Sequence, residues 1–177
     1  MKLKQGDPVI DLRLPALDDS IFNTEPLRGR RYMLSFFRFA GCPFCNIRMH
    51  ELVTRYNELP EGFTIVAVFD APLDDLKRHE TRHHAAFPVL ADGANTYYKE
   101  YSIDRSAWGM LKGAVVRFPA LVRAILRGYL PTTIKGKVHT LPADFLVDEQ
   151  GRIQTAYYGR DLGDHLSFEK VKAFAGG

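Results

Sequence analysis

Phe36-Phe37-Arg38-Phe39-Ala40-Gly41-Cys42-Pro43-Phe44-Cys45 decides how this chain is read. Its two cysteines are the only ones in 177 residues, and they stand three apart. Ahead of them, Tyr32 to Phe37 is aromatic and apolar apart from Ser35, as in a buried strand. Behind them, the sequence reads as a helix from Pro43 to about Asn57. A C-x-x-C at a strand-to-helix junction is the geometry of a redox dithiol.

The spacing assigns each cysteine a role. Proline is favoured at the first helical position, where its missing N–H has no partner to lose. With Pro43 there, Cys42 is the N-cap, and its sulfur faces the unpaired amides and the positive end of the helix dipole. Both stabilise a thiolate, so Cys42 is the expected exposed nucleophile with a depressed pKa. Met49, Leu52, Val53 and Tyr56 follow at helical spacing, and Cys45 lies four before Met49 on the same face. Cys45 is therefore the sheltered partner that resolves a mixed disulfide. The plain alternative is a pair of inert packing cysteines. A zinc site would need about four ligands. His50-Glu51 lacks the second histidine of an H-E-x-x-H motif, and His79, His83 and His84 read as solvated surface residues. No metal and no cofactor is expected.

Composition sets the frame. A hydrophobic share of 46% with 25% charge is that of a globular protein, and the length points to a single domain spanning 1–177. The opening Met1-Lys2-Leu3-Lys4-Gln5-Gly6-Asp7-Pro8 carries no apolar core of a signal peptide. No apolar run reaches membrane-spanning length, so no integral membrane association is expected. In a reducing compartment a lone C-x-x-C is catalytic, redox-sensing or metal-binding rather than structural, and the expected location is cytoplasmic.

Working outward, Phe63 to Phe69 reads as a fully buried central strand. Leu73 to about His84 reads as a polar surface helix, Phe87 to Leu90 as a short strand and Asn95 to Tyr101 as a short helix. Phe145–Val147 and Arg152–Tyr158 form a hairpin whose turn is supplied by Gly151, and Ser167 to Ala175 is a closing helix. Alternating strands and helices predict an α/β sandwich around a mixed sheet. Residues 102 to 140 break the alternation and read as a helical insertion, with Pro119 opening one piece and Gly128 ending it. From Arg105 to Ala143 there are seven basic residues and no acidic one. The simplest reading is a helix packed on the core with a solvated basic face. A homodimer contact or a lid over the dithiol are the alternatives. The aromatics do not interleave with the basic residues, so nucleic acid is not an expected partner. The patch would steer anionic substrates.

Several stretches together resemble the thioredoxin-like superfamily, and within it the AhpC/TSA (redoxin) group of peroxiredoxin-like proteins. They are Gly6–Asp11 with Leu27–Arg30, Phe36–Cys45, Phe87–Asp92, and Leu141–Ile153 with its P-x-x-F-L-V-D-x-x-G-x-I pattern. The resemblance implies a thioredoxin-like fold, with a central mixed sheet flanked by helices and the insertion placed before the final hairpin. It implies that Pro142 faces the dithiol, usually after a cis bond, and helps to shape the site together with Pro43 and Phe44. It also implies a disulfide or peroxide substrate, protein or small molecule, and a thiol reductant of thioredoxin or glutathione type.

The departures are specific. The peroxidase pattern P-x-x-x-T-x-x-C has Ser35 in place of its proline and Phe39 in place of its threonine. The arginine the pattern expects near the hairpin strand is replaced by Pro142, leaving Arg38 or Arg160 as substitutes. The buried carboxylate that thioredoxin carries on its first core strand is replaced by Phe36, and Asp144 is the positional candidate to accept the Cys45 proton. The leading reading is a thiol–disulfide oxidoreductase with Cys42 attacking and Cys45 resolving. A thiol peroxidase reducing hydrogen peroxide or organic hydroperoxides is the alternative enzyme. A redox-responsive binding protein is the alternative of another class.

Overall fold

The computed structural model describes residues 1–80, 84–103 and 140–177. The insertion, apart from its flanks, and the His83 position lie outside the described residues. A five-stranded mixed sheet carries the fold, in the spatial order β5-β4-β3-β6-β7. Its strands are β3 (Tyr32–Phe36), β4 (Thr64–Phe69), β5 (Val89–Ala91), β6 (Ala143–Val147) and β7 (Ile153–Tyr158). A separate hairpin of β1 (Arg13–Pro15) and β2 (Ile21–Asn23) precedes it. Among the described residues the α-helices are α1 (Pro43–Thr54), α2 (Leu73–Glu80), α3 (Thr96–Glu100) and α4 (Phe168–Ala175).

The apolar runs explain the layering. β3 and β4 lie side by side and parallel, with Leu34 opposite Val66. Met33, Phe37, Ile65, Ala67 and Phe69 face one layer together with Met49 and Leu52 of α1 and Phe168 and Val171 of α4. Leu34, Phe36, Val66 and Val68 face the other, with Leu12, Leu14, Tyr98 and Tyr101. A strand buried on both faces needs no polar alternation, which is why these segments read as continuous apolar runs. β6 runs antiparallel to β3, with Phe36 opposite Ala143. Pro142 therefore enters the sheet at the end where β3 leaves it for the cysteines.

The predicted elements recur, most with shorter bounds, although β6 begins at Ala143 rather than at Phe145. The helix read to Asn57 ends at Thr54 and gives way to a single 3-10 turn at Tyr56–Glu58. The strand read at Phe87–Leu90 is Val89–Ala91, because pairing with β4 begins only at Val89. The predicted hairpin is present: Gly151 has φ of 71°, and Asp148 accepts from the amides of Gln150 at 2.9 Å and Arg152 at 2.8 Å. The turn at Asp18–Ser20 closes β1–β2, with Asp18 accepting from the Ser20 amide at 3.0 Å.

Gly159 marks a close approach near the dithiol end. Its amide donates to the Pro142 carbonyl at 2.9 Å. A Cβ there would lie 2.5 Å from the Asp164 carbonyl oxygen and 2.9 Å from that of Pro142. Gly159→Ala must push two backbones apart, so it should destabilise the protein by about 1–3 kcal/mol. Thermal unfolding would show this as a Tm lower by several degrees; an unchanged Tm would mean that the loop yields freely.

Candidate active site

Cys42 and Pro43 take the positions that the sequence dictates. Cys42 is the N-cap of α1 in extended conformation, and Pro43 opens the helix. The Cys42 carbonyl accepts the first helical bond, from the Asn46 amide at 3.0 Å. Cys45, Met49 and Leu52 lie on the buried face as expected. Both thiols are free.

One expectation is corrected. Cys42 is not exposed: it is 0% accessible, against 1% for Cys45. It belongs to the apolar cluster that contains Phe37, Phe39, Ala40 and Phe44. A charged Cys42 in such a place needs a buried partner, and Arg38 provides it. Arg38 is itself only 2% exposed, and its Nη1 donates to Cys42 Sγ at 3.1 Å. Its Nε donates to the Thr140 carbonyl at 2.9 Å, and its guanidinium lies 5.2 Å from the centre of the Phe39 ring. The Arg38 amide, in turn, donates to Cys45 Sγ at 3.4 Å. Arg38 thus serves both sulfurs, one through its side chain and the other through its backbone.

The electrostatics push the two thiols in opposite directions. Burial opposes ionisation of Cys42, but the Cys45 thiol, the Arg38 charge and the Cys45 and Phe44 amides outweigh it and lower the pKa to about 6. The two amides act without forming a cap hydrogen bond to the sulfur. Burial raises Cys45, and the hydrogen bond and charge of Cys42 push it up further, against the opposing pull of Arg38. The first proton to leave is that of Cys42.

Of the remaining expected site residues, Pro43 and Phe44 are buried beside the dithiol. Pro142 is buried at the start of β6. The described residues contain no cis peptide bond, so the bond before Pro142 is trans, not cis as the resemblance implied; the small trans preference before proline leaves either isomer accessible to a fold. Arg160 is exposed on the segment after β7. Asp144 is fully buried, but its bonds go elsewhere than the cysteines. It accepts from the Ser35 hydroxyl at 2.6 Å, the Leu166 amide at 2.7 Å and His165 Nδ1 at 3.0 Å. Burial opposes its ionisation, while His165, Arg48 and Ser35 hold its pKa below the usual carboxylate value. Asp144 thus ties β3 and β6 to the segment leading into α4.

Sequence reading missed a second buried polar chain. The Thr140 hydroxyl donates to Asp70 Oδ2 at 2.7 Å, and Asn95 Nδ2 donates to Asp70 Oδ1. The Asp70 amide donates to the Arg38 carbonyl at 3.1 Å. One sequence signal marks it: an aspartate directly after the apolar run of β4, where a buried strand end needs a polar function.

The sequence profile of the AhpC/TSA family matches residues 5–156. No curated protein sequence matches the chain significantly. Among solved structures, a peroxiredoxin-like protein from Aquifex aeolicus superposes with a TM-score of 0.72 at 12% identity, over 99% of this chain and 88% of the other. Peroxidoxin BcpB from Mycobacterium tuberculosis gives 0.65 at 15% identity, over 98% and 96%. The thioredoxin domain of a thiol-disulfide oxidoreductase from Bacteroides vulgatus gives 0.59 at 19% identity, over 98% and 99%. At these identities the likeness is one of fold, and that fold is the expected thioredoxin-like one.

Proposed function

The chain belongs to the AhpC/TSA family, and on that premise we propose that it is a thiol–disulfide oxidoreductase in which Cys42 attacks and Cys45 resolves. The contact of Arg38 Nη1 with Cys42 Sγ at 3.1 Å carries the reading, because it gives a buried sulfur a reason to be a thiolate. The Cys42 thiolate attacks one sulfur of a substrate disulfide. That S–S bond breaks, a mixed disulfide forms, and the departing thiolate takes up a proton. Cys45 then gives up its proton and attacks Cys42 Sγ. The second substrate thiol leaves, and the Cys42–Cys45 disulfide remains. Two electrons have passed to the substrate, and an external thiol of thioredoxin or glutathione type returns them. A reducing compartment such as the cytoplasm supplies such thiols. Burial of both sulfurs favours a small or extended substrate over a flat protein surface.

Peroxide reduction is the second reading, and Arg38 is the observation in its favour. The thiolate would attack one peroxide oxygen, the O–O bond would break, and the alkoxide or hydroxide would leave with a proton. Cys42 sulfenic acid would then be resolved by Cys45 with loss of water. Against it, Phe39 brings a ring where the peroxidase pattern has a hydroxyl. Rapid mixing of reduced protein with glutathione disulfide and with hydrogen peroxide separates the readings. At neutral pH the disulfide reaction should run on the order of ten times faster than that of an ordinary exposed thiol, through the larger thiolate fraction. Peroxide rates far above those of an ordinary thiol would transfer the function to the peroxidase reading. Ordinary rates with both oxidants would overturn both.

A further inference from the structure

We propose that Thr140 is a positioning residue that aims the Arg38 guanidinium at Cys42, with Asp70 and Asn95 locking Thr140 in place. This deepens the reading above and rests on it only for the use made of the thiolate. Arg38 leaves the sheet between β3 and α1, where no helix or strand periodicity orients its side chain. Its direction is set instead by the Thr140 carbonyl, which accepts from Nε at 2.9 Å and leaves Nη1 on the sulfur. The carbonyl's own place is set by the hydroxyl of the same residue, bonded to Asp70 Oδ2 at 2.7 Å. Asp70 also holds the other end of Arg38, because its amide donates to the Arg38 carbonyl. One residue thus grips the arginine's backbone directly and its side chain through Thr140.

Asn95 completes the lock. It is 1% exposed and adopts a left-handed φ of 58°, and its side chain donates to Asp70 Oδ1 and to the Asp92 carbonyl at 3.3 Å. Asparagine adopts this left-handed backbone more readily than most residues do. Thr140, Asp70 and Asn95 are all buried, so each polar atom removed would leave a partner unpaired in the interior. Such outer-shell bonds orient a functional group without touching substrate.

Thr140→Val tests this without changing any charge. The readout is the pH profile of Cys42 alkylation by iodoacetamide in the reduced full-length protein, with the adduct located by mass spectrometry. A purely structural role for Thr140 would lower Tm and leave this profile in place. The expected result is a midpoint about one pH unit higher, so that alkylation near pH 5 slows about tenfold. Thr140→Ser, which keeps the hydroxyl, should retain the parent profile. Combined with Arg38→Met, Thr140→Val should add nothing, since the two act through one guanidinium. Asn95→Gly accommodates the left-handed backbone while removing the donor to Asp70, and should shift the midpoint in the same direction by less. A parent midpoint in folded Thr140→Val, or effects of Thr140→Val and Arg38→Met that add in full, would overturn the proposal. Should Thr140→Val not fold, an unmoved midpoint in Asn95→Gly overturns it equally. None of these outcomes depends on which oxidant the protein reduces.

Discussion

Cys42→Ser should abolish turnover with every oxidant, whereas Cys45→Ser should keep the first step and lose the second. The asymmetry follows from the site. Cys42 carries the lowered pKa, and Arg38 faces its sulfur. Cys45 lies on the buried face of α1 with its pKa raised. With Cys45→Ser, one equivalent of oxidant should leave a trapped adduct on Cys42: a mixed disulfide from a disulfide, a sulfenic acid from peroxide. Steady-state turnover should fall, because the covalent intermediate then waits on an external thiol for its release. Intact-mass analysis after single-turnover mixing checks this. An adduct on residue 45 of Cys42→Ser, formed at the parent rate, would reverse the assignment.

Arg38→Met carries the second large effect. The side chain keeps an apolar stem against Phe39 and loses the charge and the donors. Against burial, Cys45, Arg38 and the helix amides lower the Cys42 pKa to about 6, so alkylation of Cys42 should rise with pH through that range and level off above it. Removing the guanidinium takes away a stabilising charge while burial, which opposes ionisation, remains. The midpoint should therefore move up toward the ordinary thiol range, with the Cys45 thiol and the Cys45 and Phe44 amides still lowering it. Well below both midpoints each unit of rise slows the reaction about tenfold. The same sign governs stability. A group whose folded pKa is lowered contributes stability above its unfolded pKa and loses it as pH falls through the folded value. The parent should therefore shed part of its stability as pH falls from the ordinary thiol range through about 6, and Arg38→Met should show a weaker dependence. Denaturant midpoints measured across this range check the second half. An unmoved alkylation midpoint would show that the Cys45 thiol and the helix end hold the thiolate without Arg38.

The two predictions rest on different kinds of information. The place of Cys42 at the helix cap and of Cys45 on the helix's buried face was readable from four residues, because proline at the first helical position and i, i+4 spacing are local rules. The hairpin turn at Gly151 and the central strands were readable for the same reason. Strand ends were read less well. Phe87 and Pro88 continue the apolar run before β5, but pairing with β4, not composition, decides where that strand begins.

The arginine was different. Arg38 and Arg160 were equal candidates in the sequence; the structure buries one on the sulfur and leaves the other exposed. Asp144 lay at the right place along its strand, but register brought it opposite Ser35, and the chain after β7 brought His165 onto it. Asp70 and Thr140 stand seventy positions apart and meet only because β4 and the entry to β6 end on the same side of the sheet.

Residue spacing was enough to put the dithiol at a helix start and to set that helix beside continuous apolar strands. These follow from backbone geometry over one or two turns. The burial of Cys42, its contact with Arg38 and the bond between Thr140 and the Asp70 carboxylate come from the packing of distant segments. Side chains in a short linker obey no period, and the sheet register that brings distant residues together is not written in the spacing of any one segment.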